Sequence, residues 1–159
     1  MIVSGYASVF NVRDKHLDTV SPVAFDEFLK SADLSEQLIP LMVAHEPPYV
    51  GYLTRAEVHE KRGLYAEFKI FSTHEEYVIE LFSSGRNIGL SIGFETTRSD
   101  SHYTDEGEIR TIYGINLKEV SLVSHPSNPE TWATISLKDR PSIFRTAALE
   151  LMKLFSRRR

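Results

Sequence analysis

The chain has 159 residues, of which 42% are hydrophobic, and a formal net charge of -4; this suits one domain able to bury roughly two thirds of its unfolded surface and excludes disordered, collagen-like and fibrous classes. It contains no cysteine, which excludes a disulfide framework, thiolate zinc sites and a cysteine nucleophile, so any covalent nucleophile must be an oxygen or an amine. Residues 138–159 hold seven Lys or Arg against Asp139 and Glu150, a balance of +5 that leaves -9 on the remaining 137 residues; such an acidic body is a poor general nucleic-acid binder, which needs clustered cations, and only the basic end could serve as one.

The opening "MIVSGYASVF" lacks the basic start and continuous apolar core of a signal peptide, and no apolar run approaches the length of about 18 residues that a membrane span needs. A soluble protein with no membrane role is therefore expected. "GYASVF" alternates as a strand does, and the charged loop "NVRDKHLD" follows. "SPVAFDEFLKSA" has a serine cap, a proline at the first helical position and apolar residues at helical spacing. "QLIPLMVAH" reads as a strand whose proline suits an edge or a start, with the loop "EPPYVG" after it. "YVGYLTRAEVHEKRGLYAEFKIF" predicts two strands around a turn at "EKRG".

In "STHEEYVIELFSSGR" a helix is predicted to start at Ser72 or Thr73 and to stop at Gly85. "NIGLSIGFETT" and "IRTIYGINLKEVSLVS" are strands, and the polar "RSDSHYTDEGE" between them reads as a mobile loop. "ETWATISL" is the last strand. The body thus ends near residue 137, and residues 138–159 form a basic amphipathic tail in which Ile143, Phe144, Ala147, Leu151, Leu154 and Phe155 fall on one helical stripe. The expected fold is α+β, mainly β: an antiparallel barrel of about seven strands with helices around it.

Ser91 is the first candidate for chemistry. Alternation places Ile88, Leu90, Ile92 and Phe94 on one face of its strand and Gly89, Ser91, Gly93 and Glu95 on the other, so the two glycines leave room for another backbone to approach the hydroxyl. A tightly packed Gly-Ser-Gly surface would look the same. "GLSIG" matches the letters of a nucleophile elbow, but "FETT" continues a strand where a helix should begin.

A serine hydroxyl needs a proton acceptor, and histidine is the usual one because its reference pKa lies near about 6.5. His45 ends an apolar strand before a proline-rich segment, where it can stand at the mouth of a cleft or serve as a half-buried structural histidine. His16, His59, His74 and His102 lie in charged loops or helix starts and look solvated, whereas His125, in "SLVSHPSNP", can also line a cleft. Glu119 shares a strand face with Leu117, Ser121 and Val123, and a carboxylate among apolar neighbours needs a cation or donors. No histidine pair has the spacing of a helix-borne zinc site, and "HEPP" is not "HExxH"; no cofactor and no catalytic metal are expected.

In order and spacing, "GYASVFN", "IPLMVAHEPPYVGYL", "GLYAEFKI", "GLSIGFE" and "LKEVSLVSHPSNPETWATI" resemble the prohead maturation proteases of tailed bacteriophages over roughly residues 3–137. That family is similar in fold to the herpesvirus assemblins, serine proteases built on a β-barrel of about seven strands. The resemblance implies a serine endopeptidase inside the procapsid that cuts scaffold, or the scaffold-like arm of the capsid protein, and itself. It also implies expression in the host cytoplasm or from a prophage. It assigns Ser91 as nucleophile, His45 as general base and Glu119 as third member; because the assemblins use a second histidine there, His125 competes for that place. The oxyanion hole is expected in the turn 125–128. A homo-dimer or other homo-oligomer is expected. A non-catalytic barrel that binds capsid or portal protein is the alternative from another class.

Overall fold

The computed structural model describes residues 1–31, 38–105 and 107–137. The predicted tail therefore lies outside the described residues. In chain order the elements are β1 (Ile2–Val9), β2 (Asp18–Val20), α1 (Asp26–Ser31), β3 (Pro40–Val43), β4 (Glu46–His59), β5 (Gly63–Ile70), a short 3-10 turn (Ser72–His74), α2 (Glu75–Ser83), β6 (Gly89–Thr104), β7 (Gly107–Val123) and β8 (Trp132–Ser136).

β7 organises the sheet. One of its edges pairs along its length with β6, and the other pairs in parallel with β2 at residues 110–112 and with β3 at residues 120–122. From β3 the order continues through β4, β5 and β1 to β8. The sheet curls until Ala133 N–H donates to Ile88 O (3.0 Å) and the Thr131 hydroxyl to Leu90 O (2.7 Å), but no ladder joins β8 to β6 among the described residues. The expected barrel of antiparallel strands is thus corrected to an eight-stranded, unclosed, mixed sheet. β2 escapes notice in the sequence because three residues inside a charged loop carry no readable period.

Apolar alternation on β1, β3, β5 and β7 supplies one contiguous core. Leu41, Leu64, Phe68, Leu90, Ile112 and Leu122 are fully buried in it, and Phe28 of α1 and Val78 and Ile79 of α2 cover it. α1 starts at Asp26, later than the cap at Ser21 implies, because residues 22–25 form turns. α2 stops as predicted, with Gly85 at φ 76. The segment read as a mobile loop is instead the distal half of the β6–β7 hairpin, closed by a Thr104–Gly107 pair. Residues 95–104 are exposed throughout, so no buried face imposes alternation on them.

Candidate active site

Three local devices bring the chemistry-bearing residues together. The first is the turn between β3 and β4. Val43 pairs with Glu46, and the two residues between them, Ala44 (φ 53) and His45 (φ 62), are both left-handed, the geometry of a tight type I′ hairpin. His45 therefore does not end a strand and enter a loop; it occupies the tip of a two-residue turn, and "EPPYVG" belongs to β4. Its backbone N–H donates to Ser121 Oγ (3.1 Å), which fixes the turn to β7.

The second device is a bulge. Gly93 pairs with Glu119, but Phe94 pairs with Leu117, so β7 carries an extra residue there. Leu117 and Val120 are consequently both core, Lys118 is exposed, and Glu119 does not share the face of Leu117 as strict alternation predicts. The bulge lays the Glu119 side chain over Gly93, where an added Cβ would lie 2.2 Å from Glu119 Oε1. The room at Gly93 is thus filled by this carboxylate rather than left for a substrate backbone. At Gly89 a Cβ would meet Pro126 Cγ at 2.8 Å, and Gly89 lines a different depression from the one that holds Ser91.

The third device is register. Ser91 stands directly opposite Ser121 on β7, and directly opposed residues have Cβ atoms about 4.5–5.5 Å apart. Ser121 is fully buried and its hydroxyl donates a hydrogen bond to Glu119 Oε2 (2.8 Å), while His45 Nδ1 meets Glu119 Oε1 at 2.7 Å. An ionised carboxylate can only accept, so with Glu119 in that form the imidazole proton lies on Nδ1 and Nε2 is the acceptor nitrogen. The His45 side chain is 46% exposed and that of Glu119 only 16%, so the imidazole faces the cleft and the carboxylate stands behind it. Ser91 and His45 line one cleft of about 580 Å³. That volume falls within the usual range for ligand sites.

Among the other candidates, His125 lines the same separate depression as Gly89, and its Nδ1 sits 3.0 Å from Ser124 Oγ. His16 is exposed at the rim of the Ser91 cleft. Of the turn 125–128, Ser127 and Asn128 reach the cleft, and the Asn128 amide is committed to Val9 O at 2.7 Å. Two features are absent from the sequence-based candidates. One is Ser121, whose position two residues from Glu119 on a strand is the signal that could have found it. The other is an Asp18–Arg110 pair in the lining of the same cleft, where the guanidinium bonds both carboxylate oxygens and Asp18 raises the Arg110 pKa.

The family model for the caudovirus prohead serine proteases matches residues 1–142. Comparison with curated proteins gave no match. Among solved structures, the Kaposi's sarcoma-associated herpesvirus protease bound to a hexapeptide phosphonate inhibitor aligns with a TM-score of 0.53 at 14% identity, covering 96% of this chain and 76% of that one. The same virus's protease bound to a dimer disruptor aligns with a TM-score of 0.46 at 14% identity, over 96% of this chain and 89% of that one. The first of these likenesses gives the chain an assemblin-like fold.

Proposed function

The chain belongs to the caudovirus prohead serine protease family and is a serine protease of capsid maturation, and from that footing we propose that Ser91 is its nucleophile, His45 its general base and Glu119 the third member. The observation that carries this is the 2.7 Å contact from Glu119 Oε1 to His45 Nδ1, beside a cleft that His45 shares with Ser91. His125 gives way to Glu119 because it lines another depression and the Nδ1 of His45 is already engaged.

In the proposed reaction Ser91 Oγ attacks the carbonyl carbon of the scissile bond as its proton passes to His45 Nε2. The tetrahedral adduct collapses when Nε2 returns that proton to the leaving amine, which departs and leaves an acyl ester on Ser91. Water then attacks the ester, giving its proton to Nε2, and Ser91 is released with its proton restored. Glu119 holds the imidazole in the Nδ1–H tautomer and offsets its charge when both nitrogens are protonated; Ser121 holds Glu119.

The substrate is the scaffold or the scaffold-like arm of the capsid protein, met inside the procapsid after synthesis in the host cytoplasm, and the chain cuts itself as well. Family membership supports the capsid protein as substrate. The protease also forms a homo-oligomer, supported by the apolar stripe of residues 143–155. The experiment that tests the site is labelling with a peptidyl phosphonate, the inhibitor class bound to the herpesvirus protease, followed by mass spectrometry to locate the adduct. An adduct on Ser91 is expected, together with a loss of cleavage of about a millionfold in Ser91→Ala. An adduct elsewhere, or full cleavage by Ser91→Ala, would refute the assignment.

A further inference from the structure

β1 carries one residue too many for its ladder with β5: Tyr6 pairs with Tyr65 and Ser8 with Leu64, so the chain bulges at Ala7. Alternation alone would put Ser8 on the outer face with Tyr6, but the extra residue turns it to the face of Leu64, which is fully buried. Ser8 is 2% exposed and lines the cleft that holds Ser91 and His45. Its Oγ is the one buried side-chain oxygen with no hydrogen-bond partner among the described residues. A buried hydroxyl left unpaired costs the folded state free energy that alanine would not. A partner brought by a bound molecule would offset that cost.

The rest of the recess indicates which partner. Val20, Leu90 and Ile112 are among the apolar residues that line the same cleft. The cleft is also lined by three carboxylates, Asp14, Asp18 and Glu108, against one guanidinium, Arg110. Arg110 is held in two bonds by Asp18, and Asp14 is oriented by the backbone N–H groups of His16 and Asp18 (2.8 and 2.9 Å). Of the nearby basic side chains, Lys15 is turned to His125 O (3.2 Å). An apolar stem with a cationic head matches such a recess. The serine oxygen has lone pairs to accept from the head, and the excess of carboxylates attracts its charge.

We propose that Ser8 is a specificity-determining residue whose hydroxyl accepts a hydrogen bond from the head of a lysine or arginine side chain of the substrate. The proposal presupposes that this cleft is the protease's active site. A site built to hydrogen-bond a group discriminates strongly against the analogue that lacks it, because its own polar atom then stays unpaired. An aspartate or glutamate in the same place would meet the carboxylates and find Arg110 already bound.

The test uses the full chain and a synthetic peptide library, randomised at each position and including norleucine, with cleavages read by mass spectrometry. At one position near the cut bond the wild type should favour lysine or arginine over norleucine by about tenfold or more. Ser8→Ala should cut that ratio several-fold, leaving the share that the carboxylates supply, by weakening cleavage of the cationic peptides and improving that of the norleucine peptides, while the thermal midpoint of the free enzyme stays level or rises. An unchanged ratio, or a preference for acidic side chains, would overturn the proposal. So would a lowered midpoint with the ratio intact, since the hydroxyl would then be serving the fold. Cleavage that survives in Ser91→Ala would instead overturn the active-site assignment beneath it.

Discussion

At Gly93 the absence of a single carbon sets the position of a carboxylate. Alanine there would force Glu119 Oε1 away from its 2.2 Å encounter with the new Cβ and so break the 2.7 Å contact with His45 Nδ1. The displaced group is the end of a flexible side chain, so Gly93→Ala is expected to change stability by less than about 1 kcal/mol. Its kcat/KM should nevertheless fall toward that of Glu119→Gln. Glu119→Gln should lose roughly 10³–10⁴-fold in kcat with folding intact, because an amide does not enforce the Nδ1–H tautomer as a carboxylate does. Peptide turnover and thermal unfolding of the two variants, measured side by side, check both expectations. Near-wild-type turnover in Gly93→Ala would mean that the carboxylate has another way to reach the imidazole. Residue type and the resemblance together singled out Ser91, His45 and Glu119 as the residues proposed for the site. The role of Gly93 was not, since whether a glycine makes room for a substrate or for a neighbour depends on the partner strand.

The β3–β4 turn places His45 by holding two non-glycine residues in a left-handed conformation, which costs about 1–2 kcal/mol at each. Strain of this kind is commonly retained at functional sites. Ala44→Gly relieves one share of it and leaves the imidazole in place. After the loss to unfolded-chain entropy, a gain of about 0.5–1 kcal/mol is expected, visible as a higher thermal midpoint with activity retained. A lower midpoint would show that the turn is not strained at Ala44. Elsewhere the elements were legible in proportion to how strongly one face is buried. β1, β5 and α2 announce themselves by period, whereas the polar arms of the β6–β7 hairpin do not. The bulges at Ala7 and beside Glu119 were invisible to any reading that assumes strict alternation, because each arises from a mismatch between two paired strands rather than within one.

For the whole molecule, the charge division of -9 on the body against +5 on residues 138–159 and the stripe on that segment point to association through the tail. Sedimentation should find the full chain in a larger particle than the chain truncated after Leu137, once the difference in chain mass is removed; the same number of chains in both would refute a role for the tail. Chain composition and the alternation of its strands settled by themselves that this is a mainly β domain whose nucleophile must be an oxygen or an amine, because the face a residue presents and the groups it carries are local properties. The ordered motifs brought the family within reach for the same reason. Tertiary structure alone decided that the sheet stays open, that the Glu119 carboxylate lies 2.7 Å from the His45 ring and that His125 lines a separate depression. It also decided that Ser8 turns inward with an unpaired hydroxyl. These outcomes depend on how segments far apart in sequence meet, such as those carrying His45 and Glu119 (separation 74), and no short window of sequence records which residues will stand opposite one another.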